Sequence, residues 1–116
     1  MLAGKTWGNT RELLNNPFVK FADLWIEPNR RCSLHLHKTH FNAFYVFSGQ
    51  MIVEVHKAAY DLVDTTTLGP RDFMVVPPNE KHRFVTGVEG CCGVEFYYPA
   101  VSQEDIYRDD VGGAAR

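Results

Sequence analysis

The chain has 116 residues, of which 45% are hydrophobic and 22% charged, the composition of a soluble globular domain. At this length folding hides about two-thirds of the unfolded surface, which supports one core and leaves no room for a second catalytic domain. Twelve Lys and Arg against fourteen Asp and Glu are scattered to a net charge of -2, without the basic footprint of a nucleic-acid binder. No segment approaches the roughly 18 consecutive apolar residues of a membrane-spanning helix. Met1 to Thr10 lack the charged start and apolar run of a secretory signal. Cys32, Cys91 and Cys92 are too few and oddly numbered for a disulfide framework. Reduced thiols and a cytoplasmic location are the expectation.

Along the chain, Arg11 to Asn15 is expected to form one short helical turn. From there the hydrophobic period is mostly two, in runs rich in Val, Ile, Phe and Tyr. Strands are predicted at 18–26, 32–37, 43–48, 51–57, 61–68, 72–76, 82–86 and 92–98. Glu27-Pro28-Asn29 ends the first, Ser48-Gly49-Gln50 makes a tight connection, and Pro77-Pro78-Asn79 forbids strand continuation. Gly90 and Gly93 flank Cys91 and Cys92 at an expected bend or bulge. Ser102 can cap a turn carrying Glu104 and Asp105, and the tail from Gly112 offers little apolar surface to hold it down. The reading is all-β: a sandwich or barrel as a single domain over 1–116. The aromatic residues, Phe44, Tyr45, Phe47, Phe73, Phe84, Phe96, Tyr97 and Tyr98, are assigned mainly to its interior. Open edge strands are commonly hidden in a twofold partner, which predicts a homodimer with the stretch around Trp7 as a contact element.

Five histidines occur, and three carry the chemistry. In Cys32-Ser33-Leu34-His35-Leu36-His37 the histidines alternate with leucines, so an extended segment puts both imidazoles on one face. Their Cα atoms would lie about 6.6 Å apart, which lets two ring nitrogens converge on one ion at about 2.1 Å each. The same pattern also fits two polar positions facing solvent. His82, after the Pro77-Pro78-Asn79 turn, is a third imidazole at the start of another strand.

These two segments resemble the paired motifs of the cupin superfamily, small jelly-roll barrels that hold a metal inside. The first motif is matched by His35, His37, Asn42 and Gly49, with Asn42 where the family has Glu. The second is matched by Pro77, Pro78, Asn79, His82 and Thr86. Here Asn79 stands for the turn Gly, a position of positive φ that Asn tolerates, and Thr86 replaces the final Asn. A wider resemblance, through Trp7-Gly8, Ser33-Leu34, His37, Ser48-Gly49, Pro77-Pro78, His82, Val94-Glu95 and Glu104-Asp105-Ile106 with Arg108, is to the cupin domain of type II mannose-6-phosphate isomerases. Their ligand positions tend to read Gln, His, Glu, His; the resemblance therefore implies His35, His37, Asn42 and His82 as ligands here. A nucleotidyltransferase domain often precedes that cupin; none is expected within these residues, so sugar-nucleotide synthesis is not implied.

Three neutral imidazoles and an amide would hold one divalent ion, Zn, Fe, Ni, Co or Mn, with its charge uncompensated. Such an ion can polarise a substrate carbonyl or hydroxyl. Aldose–ketose isomerisation also needs a general base, for which Glu95 and His40 are the candidates. Glu95 alternates with Val94 and Phe96 and so could equally face outward. Arg108 is the candidate for a substrate phosphate, Phe44 shares the parity of Asn42 and is expected to line the same cavity, and Arg83 should point away from His82. His56 is read as structural or exposed. Three readings of function stay open: a sugar-phosphate isomerase or epimerase, an iron dioxygenase like the three-His thiol dioxygenases among the cupins, and a binding module that holds a metabolite without turnover.

Overall fold

The computed structural model describes residues 2–99 and Ala114. The expectations placed on Ser102, Glu104, Asp105, Arg108 and the glycine-rich tail lie outside the described residues. Nine strands are present among them: β1 (Leu2–Lys5), β2 (Gly8–Asn15), β3 (Lys20–Ile26), β4 (Phe41–Gly49), β5 (Met51–Lys57), β6 (Leu62–Leu68), β7 (Phe73–Val76), β8 (Lys81–Val85) and β9 (Cys91–Tyr98). They form a six-stranded sheet in the order β1-β2-β3-β9-β4-β7 and a three-stranded sheet in the order β6-β5-β8. The all-β barrel expected from periodicity is therefore what forms, with one 3-10 turn at Ala58–Tyr60 as its helical content among the described residues.

Alternation sets the core. Leu24 and Ile26 of β3, Phe44 and Val46 of β4, Met51, Val53 and Val55 of β5, and Phe84 of β8 all point between the sheets and pack as one cluster. Full burial of such side chains is worth about 1.5–3 kcal/mol each. The opposite parity of the same strands faces outward, so the aromatics assigned mainly to the interior divide between the two faces. Phe47 is 56% and Phe73 52% exposed on the outer face of the large sheet.

Two element assignments are corrected. The N-terminal stretch pairs as β1 and β2, and the helical turn expected at Arg11 to Asn15 does not form. A turn of five residues closes one or two hydrogen bonds, whereas the ladder on β3 pairs Gly8 to Asn15 with one irregularity between Glu12 and Leu14. The strand expected at 32–37 is reduced to isolated bridges, Arg31 to Val85 and His35 to His82. The two bridges differ in register by one residue, and between them the Phe84 amide donates to the Cys32 sulfur at 3.2 Å instead of to a carbonyl. The segment thus runs beside β8 without joining it as a regular ladder.

The turns behave as their residues require. Asn29 and Asn79 adopt φ of 54° and 69°. Gly49 turns β4 into β5 at φ 76°, with a Cβ there falling 2.2 Å from the Gly90 carbonyl oxygen. Gly93 lies across from a bulge in β4 between Val46 and Ser48, and a Cβ on it would meet the Tyr45 carbonyl oxygen at 2.3 Å.

Thr86, a motif position in the sequence, is a buried clamp. Its hydroxyl donates to the Glu27 carbonyl at 2.6 Å and accepts from the Arg30 amide at 3.1 Å, pinning the stretch that leads to His35 onto the end of β8. Thr86→Val leaves both backbone groups unpaired, and its unfolding free energy in urea is expected to fall by about 1–3 kcal/mol. Thr86→Ser should keep most of the stability; equal stability of the valine variant and the parent would refute the clamp.

Candidate metal centre

The two sheets meet at one end of the barrel around three imidazoles. His35 and His37 come from the segment between β3 and β4, and His82 from β8. Reciprocal backbone hydrogen bonds, His35 N to His82 O at 3.1 Å and His82 N to His35 O at 2.8 Å, hold the two stretches side by side. The ring centroids of His35 lie 5.0 Å from His37 and 4.7 Å from His82. One ring nitrogen from each of the three lies within 4.8 Å of the other two.

The tautomers follow from the partners. His35 Nδ1 is 2.8 Å from the Ser33 carbonyl oxygen and His82 Nδ1 is 2.8 Å from the Glu80 carbonyl oxygen. A carbonyl only accepts, so each Nδ1 carries the proton and each Nε2 presents a lone pair. This is how metal-ligating histidines are commonly oriented. His37 Nε2 is buried with no hydrogen-bond partner, an orphaned atom of the kind that native interiors rarely tolerate. Burial lowers the His37 pKa to about 4, with the neighbouring His35 and His82 acting in the same direction, and burial lowers that of His82. All these features fit a divalent cation, which takes neutral imidazole nitrogens.

Asn42 lies in β4, fully buried, with its amide spanning two groups. Its Oδ1 is 2.8 Å from His82 Nε2 and its Nδ2 donates to Glu95 Oε2 at 3.3 Å. Because His82 Nε2 bears a lone pair, this amide orientation sets two acceptors face to face. A cation held by both resolves the conflict, since two ligands at about 2.1 Å and right angles lie about 3.0 Å apart. Glu95 of β9 faces inward and is not one of the three-imidazole group. Burial raises its pKa, an effect partly offset by the Asn42 amide and the Tyr97 hydroxyl, which favour the anion.

The remaining sequence candidates are dispersed. Phe44 packs in the core behind His82, ring centroids 6.4 Å apart, and is 1% exposed. His40 is exposed, with Nδ1 3.0 Å from the Thr39 hydroxyl. His56 is half-buried on β5, 3.9 Å from Glu54 Oε1. Arg83 turns away from His82, as its parity requires, to donate from Nε to Glu54 at 2.7 Å. Cys32 borders the site, but burial pushes its thiol up to about 11, so it is protonated and unreactive.

A cavity of about 900 Å³ opens beside the imidazoles, with His35, Glu95, Tyr97, Trp7 and Lys20 among its walls. A second, of about 370 Å³, reaches His37 and His40 and shares Tyr97 and Lys20. Sequence reading took Tyr97 as barrel filling and passed over Lys20. Both share the parity of residues known to face inward, Tyr97 with Glu95 and Lys20 with Ala22 and Leu24, and that alternation is the signal by which they can be found. Trp7 closes the wall, its ring edge-on to Phe84 at 4.9 Å.

Comparison with known proteins agrees with this architecture. Residues 24–91, more than half of the chain, match the family model described as Cupin domain. Among solved structures, KdgF from Halomonas sp. superposes with a TM-score of 0.72 at 17% identity, over 87% of this chain and 89% of that one. An RmlC-like cupin from Shewanella frigidimarina gives 0.70 at 23% identity, over 90% and 86%. Oxalate decarboxylase from Bacillus subtilis gives 0.73 at 17% identity, over 85% of this chain but 27% of its own length. Among curated proteins there is no significant match. With the motif histidines, the two facing sheets and the family model in agreement, the chain belongs to the cupin family.

Proposed function

We propose that this cupin binds one divalent metal through His35, His37 and His82, with Asn42 Oδ1 completing the set, and acts on a small carbohydrate-like metabolite as a sugar-phosphate isomerase. The observation that carries the metal is the set of Nε2 lone pairs: two are presented by histidines tethered at Nδ1, and the third, on His37, is buried without a partner. The resemblance to type II mannose-6-phosphate isomerases supplies the substrate class.

When bound, the ion supplies Lewis-acid polarisation of a substrate carbonyl or hydroxyl. The protein supplies the proton carrier. Isomerisation between an aldose and a ketose removes a proton from one carbon and returns it to the next, so a single group must act as base and then as acid. Glu95 is the group proposed for this role: it faces inward at the cavity wall, and burial raises its pKa. Asn42 and Tyr97 hold the carboxylate in place. Arg108, outside the described residues, is the proposed partner of the phosphate. Phe44 contributes by supporting His82 from the core side. A homodimer is proposed on the open edges β1 and β7 and the exposed Trp25, Phe47 and Phe73 on the large sheet, and a cytoplasmic location is part of the same reading.

A second reading is favoured by one feature: the three-imidazole group contains no carboxylate, as in the three-His iron dioxygenases among the cupins. Iron content and oxygen uptake with thiol substrates separate the two.

Three outcomes are expected. Protein purified without a histidine tag should contain close to one equivalent of a divalent metal by elemental analysis, and His37→Ala should weaken its affinity by more than about 100-fold, beyond the 10–100-fold typical of losing an outer-shell partner. A metal-free parent protein that takes up no metal would remove the proposal. Glu95→Gln should retain the metal while lowering interconversion of mannose 6-phosphate and fructose 6-phosphate by about 10²–10⁴-fold; full turnover in that variant excludes Glu95 as the carrier. For the metal-free protein, the folded-state pKa of His37 lies near 4 against an ordinary 6.5. The unfolded chain therefore binds the extra proton across this window, and stability should decline as pH is lowered from 6.5 to 4. His82 acts with the same sign. Glu95, whose pKa burial raises, acts with the opposite sign, so the test is made on Glu95→Gln: thermal melts of that variant flat over the interval would contradict the buried neutral imidazoles.

A further inference from the structure

Lys20 opens β3 and shares the parity of Ala22, Leu24 and Ile26, all buried between the sheets. A lysine at an inward-facing position must leave its ammonium in the mouth of the barrel. There it lines both cavities, the one that reaches His35 and Glu95 and the one that reaches His37. Its charge bears on both His37 and Glu95.

The groups around it do not account for this charge. Glu12 Oε2 is 3.9 Å from Lys20 Nζ, the limit of an ion pair, with both side chains about half exposed at 49% and 46%. Such a pair contributes little and leaves the N–H donors open. The Tyr97 ring lies 5.9 Å below the ammonium, a contact that orients the side chain without consuming a donor. An ammonium that lines a cleft mouth without a close internal anion is open to an anion from outside, and a compact ammonium serves a single oxyanion as a point charge.

We infer that Lys20 is a specificity residue that anchors an oxyanion at the end of the substrate, so that the site takes anionic polyols in preference to neutral ones. This deepens the reading of a small carbohydrate-like substrate at the histidine site and rests on it. Carboxylate and phosphate share the required chemistry.

Isothermal titration with sorbitol, gluconate and sorbitol 6-phosphate tests it, because the three share a six-carbon chain and differ in a neutral, carboxylate or phosphate end. Gluconate, sorbitol 6-phosphate or both should bind the metal-loaded protein at least tenfold tighter than sorbitol, and whichever does so identifies the oxyanion. Lys20→Met, which keeps the methylene stem over Tyr97, should lower that preference while leaving the sorbitol affinity and the melting temperature unchanged, any remainder for the phosphate falling to Arg108. Lys20→Arg should keep most of it. The titrations are repeated on chelator-treated protein with metal content measured in parallel, so a failed metal reading shows as absent metal and leaves the comparison of end groups intact. The inference is overturned if neither anion is preferred in either form of the protein, or if Lys20→Met retains the preference in full.

Discussion

Two backbone carbonyls govern the site. Ser33 and Glu80 each accept from the Nδ1 of the histidine two residues further on, His35 and His82. Each contact fixes the tautomer and aims the other nitrogen inward. The same two histidines exchange backbone hydrogen bonds, so the ring orientations and the chain pairing are one arrangement. Reorienting either imidazole would require giving up a charge-free but well-formed hydrogen bond of about 1 kcal/mol and leaving a carbonyl unpaired. Convergence of the His35 and His82 rings is therefore built into the folded chain ahead of any ligand, which lowers the cost of binding one.

Around that arrangement the charges are distributed unusually for a metal site. The position that resembles an acidic ligand is a neutral amide, Asn42. The inward-facing carboxylate, Glu95, stands one hydrogen bond further out, across from Phe44 in the ladder between β4 and β9. A carboxylate on the ion would be pinned as an anion by it. Glu95 instead accepts from the Asn42 amide at the wall of the cavity, apart from the three imidazoles. The exposed side of the cavity carries the cation of Lys20.

The barrel itself was legible in period-two runs. β5, with Met51, Val53 and Val55 inward, and β4, with Asn42, Phe44 and Val46 inward, could be read from alternation alone, because every second side chain of a strand must face the same way. Turn chemistry was legible too: Asn29, Asn79 and Gly49 occupy positive φ for steric reasons that belong to the residue. Less legible was the outer face, where aromatic residues such as Phe47 and Phe73 look like core by type and lie outside it by parity.

What the amino-acid sequence determined by itself is the set of imidazoles and their parity, since both depend on neighbours within a few residues. Tertiary structure alone decided which backbone groups would pair. The stretch 32–37 loses its ladder because Phe84 donates to the Cys32 sulfur, and Arg11 to Asn15 becomes strand because β3 offers it a partner. Hydrogen-bond partners of this kind come from residues distant in the chain, and no local pattern encodes them. The same holds for Lys20 and Tyr97, whose inward direction is local but whose meeting with His37 and Glu95 exists only once β3 and β9 lie side by side.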